Sequence, residues 1–246
     1  MLSKAQIKHI RSLSLQKYRK EHQQFIAEGE KPAREWLQST GAIDKIIATK
    51  EWVEQHTAAI SRHKEAALHI VEESVLASVS SLKTPQNVLL VLPLPVAPVP
   101  LPVSEWAIAL DGIQDPGNMG SIIRIADWFG IQNVVCSPLC ADAYHPKVVQ
   151  AAMGSHLRVR LFETDLETYS KQLQIPLLAA VLDGEKVYDL PQFEQAVLLI
   201  GNEGKGISEK LIRNAQHKIT IPAKGGAESL NAAVSTGILC SFLAPR

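Results

Sequence analysis

Three short stretches of the chain carry residue types whose spacing could do chemistry. In DGIQDPGNMGSIIR (111–124), Asp115, Pro116, Gly117 and Asn118 have the makings of a turn, since proline presets one dihedral while glycine and asparagine tolerate positive φ. Asn118 is expected to cap the helix that follows. Arg124 lies six residues on, under two helical turns, so both side chains can approach that helix's N-terminal end. Taken alone, the pair is explained as simply by a cap and a surface arginine. In GNEGKGIS (201–208), three glycines allow a ligand to come close to the backbone. Their spacing matches neither the dinucleotide fingerprint nor the phosphate loop. Glu203 inside the stretch makes a phosphate cradle unattractive, so a cationic or neutral ligand suits it better. In IPAKGGAESLNAAVSTGIL (221–239), a flexible run leads to Ser229 and Asn231 at the start of a small-residue helix.

These loops need elements to hold them. From residue 104 onward, apolar strand-like runs alternate with helical ones: WAIALDG, SIIRIADWFG, NVVCS, PKVVQAAMG, LRVRLF, PLLAAVLDG, AVLLIGNEG, SEKLIRNA, HKITIP and SLNAAVSTGILCSFL. That alternation predicts a parallel sheet covered on both faces. Sites in such sheets lie beyond the carboxyl ends of the strands, where the three loops fall. Ahead of it, strands at 23–29, 42–49 and 87–92 and helices at 31–39 and 51–61 predict a small α/β domain. Five prolines, Pro93, Pro95, Pro98, Pro100 and Pro102, predict a stiff extended spacer. The expected organisation is therefore an N-terminal domain over 1–92, a linker over 93–103 and a second domain over 104–246. The competing reading of the prolines is an edge strand running into a long loop of one domain.

Composition narrows the partners. The chain has 246 residues, 25 Lys+Arg against 25 Asp+Glu, and 46% hydrophobic residues, which argues against disorder. Zero net charge argues against strong indiscriminate binding to nucleic acid. The balance is uneven, however: residues 1–103 hold 13 basic and 10 acidic side chains, and the remainder is acidic by the same margin. Lys4, Lys8, Arg11, Lys17, Arg19 and Lys20 all precede the first acid, Glu21, and could meet phosphate or form a solvated helix face. Cys136, Cys140 and Cys240 are an odd set with neither a second pair nor a nearby His pair for zinc. With no apolar leader at the start, this points to a reducing, cytoplasmic setting without a metal site. No apolar run reaches membrane-spanning length without proline, so no membrane partner is expected.

DPGNMGSIIRIADWFG, LLIGNEGKGIS and IPAKGGAESLNAAVSTGI resemble, in order, the three motifs of the SpoU (TrmH-type) class of the SPOUT superfamily, the S-adenosylmethionine-dependent RNA ribose 2′-O-methyltransferases. The resemblance covers residues 104–246. EGEKPAREWL and the basic start resemble, more weakly, the class's N-terminal substrate-binding domain. What the resemblance implies is an α/β fold with a deep trefoil knot and a parallel sheet, S-adenosylmethionine as cofactor, and structured RNA as substrate, ribosomal RNA ahead of transfer RNA. It also implies a homodimer through the methyltransferase domain. Carried over by motif, Arg124, Asn118, Glu203, Ser229 and Asn231 would form the catalytic site, with Arg124 completing it. Gly201, Asn202, Gly204, Ile221, Leu230 and Ala232 would contact the cofactor.

The chain departs from the family pattern in two places. Ile125 and Ala126 follow Arg124 where Thr-Ala is usual, and Ala152 in QAAMGSHLRV stands where a serine is common. Both bear on target choice more than on chemistry. The rival class is a non-catalytic RNA-binding or assembly protein that kept the fold, distinguished by cofactor binding without methyl transfer. A dinucleotide-dependent oxidoreductase lacks its glycine fingerprint.

Overall fold

The structure is a computed structural model that describes residues 2–95 and 101–245. Residues 96–100 of the proline-rich segment, including Pro98 and Pro100, lie outside the described residues. The chain forms two compact units, Met1–Val96 with Asp142–Leu157, and Ala97–Ala141 with Arg158–Arg246.

The first unit opens with helix α1 (Lys4–Ser12), which is started by a capping box between Ser3 and Gln6. Then come α2 (Gln16–His22), β1 (Gln24–Glu28), α3 (Glu30–Gln38), β2 (Lys45–Ala48), α4 (Lys50–Ile60), β3 (Ala67–Ile70), α5 (Glu73–Val79) and β4 (Val88–Pro93). The sheet order is β1-β4-β2-β3, with β4 antiparallel to both neighbours and β2 parallel to β3. Period-two alternation splits its side chains between two cores. Phe25, Ala27, Ile46, Val88 and Leu90 pack with Trp36, Leu37 and Trp52, while Ile26, Ile47, Leu89 and Val91 pack with Ile10, Leu13, Leu76 and Val79. The strands and helices expected from the sequence here are present; α2, β3 and α5 are additional, β3 being short and largely exposed. Pro93 ends β4 still opposite Gln24.

The second unit holds β5 (Ala107–Asp111), α6 (Pro116–Trp128) and β6 (Asn133–Cys136). The chain then enters the first unit as α7 (Pro146–Ala152) and returns as β7 (Arg160–Glu163), α8 (Leu166–Gln172), β8 (Leu177–Lys186), β9 (Val197–Gly201), α9 (Glu209–Asn214), β10 (His217–Thr220) and α10 (Ala232–Leu243). The strands are ordered β10-β8-β9-β5-β6-β7 and every pairing is parallel, as the alternating pattern predicts. Ala107, Ala109, Leu177, Val197 and Leu199 face a core closed by Leu166, Tyr169 and Leu211 of α8 and α9. α6 and α10 pack together against the other side of the same strands. The central strands are sealed: Ile108, Leu110, Val197 and Leu198 are all fully buried.

The excursion of residues 142–157 has its own anchors in the first unit. Arg19 is 2% exposed; its Nη1 donates to the Leu13 carbonyl at 2.7 Å and its guanidinium pairs with Asp142. Asp142 also accepts from the Tyr144 amide. Arg19 therefore leaves the set of basic residues available to phosphate. Val149 joins the core around Phe25, whose ring lies 5.0 Å from that of Tyr144. Gly154, at φ +94°, sits so close to Glu35 that a Cβ would lie 2.7 Å from that side chain.

Candidate functional site

The first loop leaves β5 at Asp111 and turns through Gly112, whose φ of +73° suits glycine. Asp115, rather than Asn118, caps α6: its Oδ1 accepts from the Asn118 amide at 2.8 Å, and Pro116 takes the first helical position. Asp-Pro-Gly-Asn offers two capping side chains, and the proline selects the one preceding it. Freed from capping, the Asn118 side chain has other partners.

Those partners come from the other two loops. Asn118 Nδ2 donates to Glu203 Oε1 at 2.7 Å, and Asn118 Oδ1 accepts from Asn231 Nδ2 at 2.8 Å. Asn231 is itself the cap of α10, its Oδ1 accepting from the amides of Ala233 and Val234. Three residues from three separate loops thus form one hydrogen-bonded chain, carboxylate to amide to amide. The carboxylate fixes which end of the Asn118 amide faces it, and so which end faces Asn231.

The second loop is tied to itself and to the first. Asn202 and Gly206 exchange backbone hydrogen bonds at 3.1 and 2.9 Å. Asn202 Oδ1 accepts from the amides of Gly204 and Lys205, and its Nδ2 donates to the Gly112 carbonyl at 2.8 Å. The Asn202 side chain is therefore committed to holding the loop. A Cβ on Gly201 would lie 2.4 Å from the backbone of Gly206 and Ile207, so only glycine allows this fold-back. Asp111 Oδ2 accepts the Ser208 amide at 2.9 Å and fixes where α9 begins. In the sequence the only signal for Asp111 is an acid at the carboxyl end of a buried strand.

The remaining expected residues are distributed around this chain. Arg124 is exposed on α6, and its side chain makes no hydrogen bond or ion pair with any described residue. It lies six residues beyond Asn118 on the same helix, which turns it about a third of a turn away. Ser229 is exposed in the stretch between β10 and α10; Leu230 is 49% exposed, Ile221 half-buried, and Ala232 is buried at the first turn of α10. Beside Asn118 and Asn231 runs an open groove between α6 and α10, lined by Ser121, Ile125, Val234, Gly237 and Ile238.

A sulfonium nucleoside fits these residues. The glycine fold-back at Gly201 brings backbone close, Leu230 offers exposed apolar surface for a base, and Glu203 supplies negative rather than positive charge. Among the described residues, no group of three or more His, Cys, Asp or Glu side chains could hold a metal ion, and no helix is long and apolar enough to cross a membrane.

Comparison with known proteins matches residues 105–241 to the SpoU rRNA Methylase family and residues 4–90 to an MRM3-like substrate binding domain. The 23S rRNA (guanosine(2553)-2′-O)-methyltransferase RlmP of Bacillus subtilis is 30% identical over 243 residues, spanning 96% of this chain and 95% of that protein. A Porphyromonas gingivalis structure assigned to the TrmH family of RNA methyltransferases superposes with a TM-score of 0.85 at 39% identity, covering 98% of both chains. An AdoMet-bound rRNA methyltransferase from Sinorhizobium meliloti superposes at 0.84 with 29% identity, over 98% of this chain and 94% of that one. Matched over more than half its length by the family and over nearly all of it by these relatives, the chain belongs to the SpoU rRNA Methylase family.

Proposed function

We propose that this protein transfers a methyl group from S-adenosylmethionine to a ribose 2′-hydroxyl of ribosomal RNA. The observation that carries the reading is the chain Glu203–Asn118–Asn231, which draws one polar residue from each of the three loops to one place. S-adenosylmethionine held there would supply an electrophilic methyl on a sulfonium. Gly201, Gly204, Ile221, Leu230 and Ala232 line its site, and Asn202 holds the loop in shape. Asn118, pinned at both ends, presents a fixed dipole to the ribose. Ser229 adds a hydroxyl at the same edge. Arg124 stabilises the negative charge that builds on the attacking oxygen; a guanidinium is a poor proton acceptor, so the hydroxyl proton passes to a substrate phosphate oxygen.

RNA is the substrate class because the acceptor is a 2′-hydroxyl. In this reading the first unit binds the RNA, with Lys4, Lys8 and Arg11 along α1 and Lys17 and Lys20 on α2 meeting phosphate. The division of labour follows the domain limits proposed from the sequence, 1–92 and 104–246, except that residues 142–157 go with the first unit. The chain is proposed to act as a homodimer through α6 and α10, where Trp128 is 85% exposed, Val234 51% and Phe242 42%. That pairing places Arg124 at the subunit boundary, where it completes a site. The trefoil knot is proposed for the segment after β9: β10 joins the sheet's edge, yet α10 returns to pack on α6. A cytoplasmic location accords with three free thiols.

Ribosomal RNA from a strain lacking the gene, incubated with the protein and methyl-labelled S-adenosylmethionine, should take up label at one linkage that alkali no longer cleaves. Cofactor binding without label in any RNA would favour the non-catalytic rival and sink this reading.

A further inference from the structure

The residues that follow β6 turn back toward the first loop and clamp it at successive positions. The Ser137 amide donates to the Leu110 carbonyl at 2.9 Å, the Ser137 hydroxyl accepts the Gly112 amide at 3.0 Å, and the Ala141 amide donates to the Ile113 carbonyl at 2.7 Å. The turn is closed by the Cys140 amide on the Ser137 carbonyl at 3.0 Å. Ser137 itself is 7% exposed, and the Gly112 amide that it holds is buried. Cys140 donates to the Leu110 carbonyl at 3.2 Å, which leaves its sulfur to accept from the Ser137 hydroxyl 3.7 Å away. With its proton spent there, the Ser137 oxygen keeps its lone pairs for Gly112.

Gly112 needs such a hold. Its φ of +73° is one that glycine adopts freely, but glycine is also the residue whose dihedrals the chain restricts least. Its amide is fixed by Ser137 and its carbonyl by Asn202, whose Nδ2 donates at 2.8 Å, so the peptide planes on either side of one Cα are both pinned. Asn202 in turn gives its Oδ1 to the amides of Gly204 and Lys205, each at 3.0 Å. The direction of the Gly112 carbonyl therefore decides where the second loop stands.

We propose that Ser137 is a positioning residue for S-adenosylmethionine, setting the binding shape of the second loop through Gly112 and Asn202. The inference rests on the function proposed above. Without the hydroxyl, the buried Gly112 amide loses its partner, the peptide rotates to find another, and the Gly112 carbonyl leaves Asn202. The loop then samples shapes that the cofactor must reorder on binding. A loop in its binding shape about one-tenth of the time binds about tenfold more weakly, while the filled site stays much as before. This is the reverse of what loss of a group at the reacting atoms does, which lowers kcat first.

The test uses the full-length protein. Ser137→Ala should bind S-adenosylmethionine about tenfold more weakly by isothermal titration, with kcat at saturating cofactor within about threefold of the wild type and KM for RNA unchanged. Exchange of backbone amides over 201–206 should quicken in the same variant. The control is Asn133, 1% exposed at the other end of β6, whose Nδ2 donates to Glu105 at 3.0 Å and to the Trp106 carbonyl at 3.1 Å. Asn133→Ala should lower the melting temperature at least as much and leave cofactor affinity alone. Because Ser137 acts through Asn202, adding Ser137→Ala to Asn202→Ala should weaken binding little further. Wild-type affinity in Ser137→Ala, an equal loss in Asn133→Ala, or additive losses in the double variant would each overturn the proposal. Should Ser137→Ala fail to fold, the unmodified protein decides: its Gly112 amide should exchange far more slowly than that of exposed Gln114, and equal rates would overturn the proposal. A wild-type protein with a slow Gly112 amide that binds no S-adenosylmethionine would instead count against the proposed function.

Discussion

Asn118 is the residue through which the three loops meet, and its two side-chain bonds make opposite demands, a donor toward Glu203 and an acceptor toward Asn231. An aspartate in its place would keep the acceptor but set a second carboxylate against Glu203. Asn118→Asp should therefore reduce methyl transfer by roughly a hundredfold or more, a loss comparable to that of one preorganised transition-state contact, with kcat falling more than cofactor affinity. Arg124→Ala should abolish transfer while isothermal titration still finds cofactor bound nearly as in the wild type, since the Arg124 side chain hydrogen-bonds none of the described residues. Retained turnover in that variant would remove Arg124 from the reaction. Sequence alone made these residue types visible but not their convergence: 85 residues separate Asn118 from Glu203 and 113 separate it from Asn231, and no local pattern encodes a contact across such gaps. Where the reading was purely local it also met competition, as at Asp115 and Asn118, two capping side chains three residues apart.

At the scale of elements, the second loop's shape depends on β9 ending in glycine. In Gly201→Ala the new methyl would meet the backbone of Gly206 and Ile207, which cannot yield as a flexible side chain would. The substitution should lower unfolding stability by about 1–3 kcal/mol in denaturant titrations, with weaker cofactor binding. The segment around α7 has a different sensitivity. Burial pushes His156 down to about 4, its Nε2 donates to the Ala143 carbonyl at 2.8 Å, and its buried Nδ1 has no partner. Because the unfolded chain binds this proton near its ordinary pKa of about 6.5 and the folded chain does not, acid favours unfolding. The stability it contributes is intact above about pH 6.5 and falls as pH drops toward 4, on the order of 3 kcal/mol in all. Stability measured across that range should lose much of this slope in His156→Gln; an unchanged slope would show that other groups set it. The strands and helices were legible from apolar periodicity. That α7 belongs with the first unit was not, because PKVVQAAMG carries an apolar face without saying which core receives it.

For the whole molecule, the neutral charge conceals a division. The basic start survives as an exposed face of α1 and α2, minus Arg19, which spends its charge on Asp142. The exposed apolar residues of α6 and α10 form a second feature that composition hides. If they mediate pairing, Trp128→Glu with Val234→Glu should turn a dimer into a monomer by light scattering and lose activity, while leaving each unit folded by circular dichroism. A double variant that stays dimeric would move the interface elsewhere. The parallel sheet followed from the alternation of runs, whereas the route of the chain between the units did not, since only tertiary packing decides it.

That route has a practical consequence for anyone who exchanges modules within the family. A chimaera cut once, in the proline-rich stretch, would inherit a foreign front module and its own residues 142–157, stranding Asp142 without Arg19 and the α7 face without Phe25 and its neighbours. A workable transplant carries both pieces, so the first unit in this architecture is inherited as two separated stretches of gene rather than one.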